Sequence, residues 1–110
     1  MNMLEFFQQV LPTEGFYVTT VINTDGRKQG FFKSVDELAT VCERLDKTNN
    51  NTYFAISAFK QKGNRKQDNV RATKVIAIDV DCGPNKPYPS WKEGLSALGK
   101  FVSEMGLPKP

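Results

Sequence analysis

Asp79 and Asp81 stand one residue apart at the end of the apolar run Val75-Ile76-Ala77-Ile78, and Cys82, Gly83 and Pro84 follow at once. The β-branched residues and the lack of a helical period predict a buried strand, stopped by glycine and prolines where the charges begin. Side chains alternate on a strand, so Val75, Ala77, Asp79 and Asp81 share one face and Ile76, Ile78 and Val80 the other. Two carboxylates held together repel each other, and a divalent cation between them is the usual remedy. Hard oxygen donors favour Mg2+ or Mn2+, ions that take one or two protein carboxylates and complete their shell with water and substrate phosphates. Such a pair suits phosphoryl chemistry. Without a metal, the same Asp-x-Asp is the solvated end of an exposed strand or a cap on the next turn.

The chain has no histidine. That excludes, within these residues, histidine-bound zinc, Ser-His and Cys-His nucleophile pairs and imidazole acid-base catalysis. Cys42 and Cys82 lack a metal-ligand spacing and read as reduced thiols in a cytoplasmic setting. At 110 residues one domain with a modest core is expected. No apolar run approaches the roughly 20 residues of a membrane helix, and the first residues carry no basic, cleavable leader, so neither a membrane partner nor secretion is expected. The net charge of +3 is unevenly placed: Lys60, Lys62, Arg65, Lys66, Arg71 and Lys74 fall in a stretch whose one acid is Asp68. This is a local basic patch suited to a phosphate backbone or a triphosphate.

The elements that would position these groups follow from pattern. Leu4, Phe7 and Leu11 predict a short helix over residues 2–10, ended by Pro12 and Gly15. Residues 16–22 and 29–33 read as strands joined through Asn23-Thr24-Asp25-Gly26, a hairpin signal. Ser34 and Glu37 form a Ser-x-x-Glu capping box opening a helix to about Lys47, with Val35, Leu38, Val41, Cys42 and Leu45 as its apolar stripe, ended by Asn49, Asn50 and Asn51. Residues 52–59 read as another strand and residues 60–74 as a long basic loop, in which Arg71 and Lys74 lie nearest the acidic strand. After a proline-rich link, Ser90 and Glu93 repeat the capping-box signature, and Trp91, Leu95, Leu98, Phe101, Val102 and Met105 stripe a helix that stops near Gly106. Pro108 and Pro110 set an extended direction beyond it.

Ile78-Asp79-Val80-Asp81-Cys82-Gly83, a proline-containing link with Tyr88, a helix over residues 94–101 and then Gly106-Leu107-Pro108-Lys109-Pro110 together resemble the archaeo-eukaryotic primases, in particular the virus- and plasmid-encoded primase-polymerase branch. Thr52-Tyr53-Phe54-Ala55 and the loop from Arg65 to Arg71 are similar to that family's lead-in. The resemblance implies that Asp79 and Asp81 are catalytic metal ligands for Mg2+ or Mn2+ in two-metal nucleotidyl transfer. It implies nucleoside triphosphates, a single-stranded DNA template, the remainder of a primase domain and a helicase as the partners to look for. Family members also carry a serine or glycine turn followed by histidine, and a third metal-binding carboxylate; these residues contain neither motif. The resemblance therefore implies that residues 1–110 are the amino-terminal part of a primase-polymerase, inactive alone: a leading α/β unit plus the first strand and helix of a catalytic unit like an RNA-recognition motif.

Two other readings stand beside it. Haloacid-dehalogenase-type phosphatases also place Asp-x-Asp after an apolar strand, but their motif lies near the start of the domain and continues differently from Cys82-Gly83-Pro84. A small module gripping single-stranded nucleic acid through Lys60, Lys62, Arg65, Lys66, Arg71 and Lys74, with the aspartates silent, needs no catalysis. The expected fold is α+β: a small sheet from four strands, with two or three helices packed on it. An unfilled apolar face or strand edge would lead to self-association.

Overall fold

The computed structural model describes residues 1–48 and 50–109. Asn49 and Pro110, which figure in the expected helix stop and the expected terminal extension, lie outside them. Among the described residues the fold is α+β, with three α-helices and two antiparallel sheets of three and two strands. The chain divides into two compact units, Met1–Ile76 and the residues from Ala77 on. No described helix is long and apolar enough to cross a membrane.

In the first unit, helix α1 (Met3–Val10) is opened by Asn2, whose side chain accepts from the Glu5 amide at 2.8 Å while the Glu5 carboxylate accepts from the Asn2 amide at 3.3 Å. This reciprocal cap satisfies two otherwise orphan donors. Strand β1 (Tyr17–Asn23) and strand β2 (Gly26–Phe32) form a hairpin in register from Tyr17 opposite Phe32 to Asn23 opposite Gly26. Its two-residue turn, Thr24-Asp25, is followed by Gly26 at φ +114°, a conformation side-chain-bearing residues rarely adopt. Helix α2 (Val35–Asp46) begins at Ser34, whose hydroxyl accepts from the Glu37 amide at 3.1 Å. Strand β3 (Asn51–Phe54) pairs antiparallel with the other edge of β1, giving the order β2-β1-β3. One face of this sheet carries Tyr17, Phe32 and Phe54 into the core with Phe7 and Leu11 from the first helical segment and Leu38, Ala39 and Cys42 of α2.

The second sheet corrects two expectations. Residues 52–59 are not one strand: the ladder with β1 ends at Phe54, and strand β4 (Ser57–Phe59) turns to pair with strand β5 (Val70–Thr73). Residues 60–74 are not an unstructured loop either, since they hold a 3₁₀ turn (Gln67–Asn69) and β5. Their order comes from Asn69, whose side chain donates to the Gln61 and Asn64 carbonyls, both at 2.9 Å, and accepts from the Gln61 amide at 3.2 Å. A mutual pair of 2.8 Å hydrogen bonds between Phe16 and Phe59 ties the entry of β1 to β4.

The largest correction concerns residues 75–81. They form no strand, and among the described residues no strand pairs with them. β-propensity becomes structure only where a neighbour accepts the backbone bonds and covers the side chains. Here Ile76 and Ile78 are 79% and 47% exposed. In the second unit, helix α3 (Trp91–Glu104) buries Gly94 and Val102, while Trp91, Leu95 and Met105 of its apolar stripe remain exposed. Its predicted capping box is not formed: the Ser90 hydroxyl bonds to the Glu93 carboxylate and caps no amide.

Two buried weakly acidic groups in the core, Tyr17 and Cys42, make the stability of the fold sensitive to alkaline pH. Burial, aided by the Glu14 charge, pushes the Tyr17 phenol above its ordinary 10.0; that hydroxyl donates to the Pro12 carbonyl at 2.7 Å. Burial also pushes the Cys42 thiol above 9.0, partly offset by the Thr19 hydroxyl and reinforced by Asp46. The unfolded chain releases both protons first, so their contribution to stability is complete below about pH 9 and is lost as pH rises through the raised folded values. Urea midpoints taken from pH 7.5 to 11 should fall above about pH 9, and Cys42→Ala with Tyr17→Phe should flatten that fall.

Candidate metal and nucleotide site

The acidic segment is held by packing. A Cβ on Gly94 would collide with Cys82 Sγ and come within 3.0 Å of Val80 Cγ1, so the bare glycine backbone is what lets residues 80–82 lie against α3. Glycine in a helix interior costs about 1 kcal/mol relative to alanine, and here that cost accompanies a close approach. A turn then folds the chain back. Lys86 donates to the Gly83 carbonyl at 3.1 Å, Asn85 takes φ 64°, Gly83 donates to the Tyr88 carbonyl at 2.9 Å, and Cys82 and Tyr88 form an isolated parallel bridge. At its far end α3 closes with the Leu107 amide on the Val102 carbonyl at 3.0 Å and Gly106 at φ 66°, a Schellman stop.

This arrangement makes an open cleft of about 360 Å³. Asp79 and Asp81 line it together with Ile78, Val80, Pro87, Tyr88 and the α3 residues Ala97, Leu98 and Phe101. Both aspartates therefore line one cleft although they do not sit on a strand. Both residues are exposed, and among the described residues neither is in an ion pair. No third histidine, cysteine or acid joins them to make a ligand group among the described residues. Two carboxylates offer hard oxygen donors that suit Mg2+ or Mn2+, with the remaining positions left to water and phosphate. The two aspartates are of the right donor chemistry for such an ion, and among the described residues they lack a third protein ligand.

The six predicted cations are all in the first unit, and the structure gives them different tasks. Arg71 Nη2 bonds Glu14 Oε2 at 2.6 Å, a largely exposed pair of small energetic weight. Lys74 Nζ donates to the Gln8 carbonyl at 3.1 Å and Lys60 Nζ to the Asp68 carbonyl at 3.1 Å. The two cations that sequence order placed nearest the aspartates thus have protein partners. Lys62 Nζ lies 5.9 Å from the Phe16 ring, and Lys33 Nζ lies 5.8 Å from the same ring. Arg65 donates through Nε and Nη2 to the Gln29 side-chain oxygen at 2.7 and 3.2 Å, the orientation of that amide which satisfies both groups. Lys66 is exposed on the loop, its amide bonded to Asn64 Oδ1 at 3.0 Å.

Sequence reasoning missed Gly94 as a packing point, since a glycine near a helix start reads only as a weak helix former, and missed the α3 wall of the cleft. Comparison of the chain with family models, with curated proteins and with solved structures finds no match.

The glycine contact can be tested directly. Gly94→Ala gains helix propensity of about 1 kcal/mol yet must displace Cys82 and Val80, an overpacking cost of about 1–3 kcal/mol. Hydrogen exchange should show the Gly83 and Tyr88 amides, which close the bridge beside Cys82, losing protection in this variant while the first unit is unchanged. Adding Cys82→Ala, which removes the colliding sulfur, should restore most of it.

Proposed function

We propose that the acidic cleft is a divalent-cation and nucleotide-phosphate site, serving nucleotidyl transfer of the primase-polymerase type. The observation that carries this reading is that Asp79 and Asp81, free of protein cations among the described residues, line one cleft with Tyr88 and the apolar wall of α3. The resemblance of Ile78-Asp79-Val80-Asp81-Cys82-Gly83 and its flanks to primase-polymerases supports it. Asp79 and Asp81 are the residues that would hold Mg2+ or Mn2+, and the ion when bound would neutralise phosphate charge and favour attack by a hydroxyl.

The chain's own contribution is positioning. Gly94 admits Cys82 and Val80 against α3, which fixes the backbone on both sides of Asp81. Leu98 and Phe101 of α3 line the cleft beside the two aspartates and give it an apolar wall, while the aspartates themselves stay exposed. With no histidine in residues 1–110, no imidazole of this chain moves a proton or contacts the nucleotide. A third carboxylate and a nucleotide-contacting histidine would have to come from other residues. The 110-residue chain by itself is therefore a weak binder of the metal–nucleotide complex and does not polymerise.

Calorimetric titration of the 110-residue chain with Mn2+ and a nucleoside triphosphate should show weak, metal-dependent binding. Asp79→Asn with Asp81→Asn should weaken it at least about tenfold, or ~1.4 kcal/mol. Binding unchanged by that pair would overturn the assignment, and primer synthesis by this chain that Asp79→Ala abolishes would overturn its inactivity.

A further inference from the structure

The sheet of the first unit has a second face that the α1–α2 core does not use. Register puts Thr20 of β1 between Gln29 of β2 and Tyr53 of β3, and Ile22 beside Arg27, on the side opposite Tyr17, Phe32 and Phe54. Strand alternation, carried one residue before β1, puts Phe16 on this same side. Val18, on this same side, and Thr20 are buried, so the middle of the face is covered, whereas at its open end Tyr53 is 54% and Ile22 41% exposed.

Cations converge here from two directions. Arg27 belongs to β2, and Lys33, just past its end, places Nζ 5.8 Å from the Phe16 ring. The β4–β5 connection adds Lys62, 5.9 Å from that ring, and Arg65, bonded to Gln29. The paired positions on this face carry no acid. The connection that delivers Lys62 and Arg65 is fixed by the Asn69 bonds and by the 2.8 Å bond from the Lys60 amide to the Asn69 carbonyl, so both cations are pre-placed.

We infer that this face binds a single-stranded polynucleotide, with Arg27, Lys33, Lys62 and Arg65 taking phosphates and Tyr53 stacking on an unpaired base. Charge complementarity selects a polyanion, and an exposed tyrosine on a rigid sheet selects one whose bases are free to stack. Phe16 and Tyr53 are offset by four residues along the strand direction, about 13 Å, so they meet different nucleotides of one strand. The inference uses no residue from Ala77 on and no metal, and it stands or falls separately from the acidic cleft.

The test is fluorescence anisotropy of labelled 15-nucleotide oligo-dT and oligo-U with the 110-residue chain in EDTA, as a function of salt. Binding to either is expected, the tighter of the two telling DNA from RNA, with a duplex of equal length at least tenfold weaker. Tyr53→Ala should weaken binding about 5- to 150-fold and Tyr53→Phe should retain it. Lys33→Ala, Lys62→Ala and Arg65→Ala together should reduce the salt slope by about 2. The charge-matched control Lys92→Ala, Lys100→Ala and Lys109→Ala should leave that slope nearly unchanged. Equal losses in the two triple variants, duplex binding as tight as single strand, an inert Tyr53→Ala or no binding at low salt would each overturn the inference. Because the variants alter exposed side chains, circular dichroism should show them folded; the wild-type preference for single strand over duplex tests the inference without any variant.

Discussion

Backbone pairing on both edges of β1 is the constraint on which the first unit depends. Tyr17, Val18, Thr19, Thr20 and Val21 are all buried, and a buried strand is tolerable only because β2 and β3 take its amides and carbonyls. That pairing sets which side chains face the helices and which face away. It also orients Phe16, whose mutual bonds with Phe59 launch the second sheet and so decide where the basic connection between β4 and β5 can stand. The cations of that connection are therefore placed by a strand more than forty residues earlier.

The acidic segment is built on a different principle. Residues 75–81 gain no ladder, and what holds them is the contact of Val80 and Cys82 with the bare backbone at Gly94, plus the single Cys82–Tyr88 bridge. A site supported by a few contacts is less rigidly pre-placed than one on a paired strand. The consequence is chemical as well as structural. Asp79 and Asp81 are exposed, pair with no cation among the described residues and line an open cleft.

Much of the first unit was legible because its signals are local. Asn23 to Gly26 encode the hairpin turn, Ser34 the start of α2, and Pro12 and Gly15 the stop after α1, each acting within a few residues of itself. The failures share a cause, which is that pairing is not a local property. Val75 to Val80 carry the composition of a buried strand, yet composition cannot say whether a partner exists. Val70 and Ala72 alternate with Arg71 and Thr73, but four residues of alternation are outweighed by the charges around them. Ser90 and Glu93 spell a capping box, but the two side chains bond each other, and the same letters cap nothing. At the candidate site, the aspartates could be found from spacing, whereas Gly94, Leu98 and Phe101 could be found only once the chain had folded back on α3.

The central claim is that Asp79 and Asp81 together form a cation site. It is tested most directly by adding substoichiometric Mn2+ to the 15N-labelled chain and following paramagnetic broadening amide by amide. The account predicts that residues 78–82, Tyr88 and the α3 residues near Leu98 broaden first, and that this pattern vanishes in the Asp79→Asn, Asp81→Asn chain. Broadening that begins at the acids of α2, Asp36, Glu37, Glu43 and Asp46, or that spreads evenly over all exposed carboxylates, would contradict it.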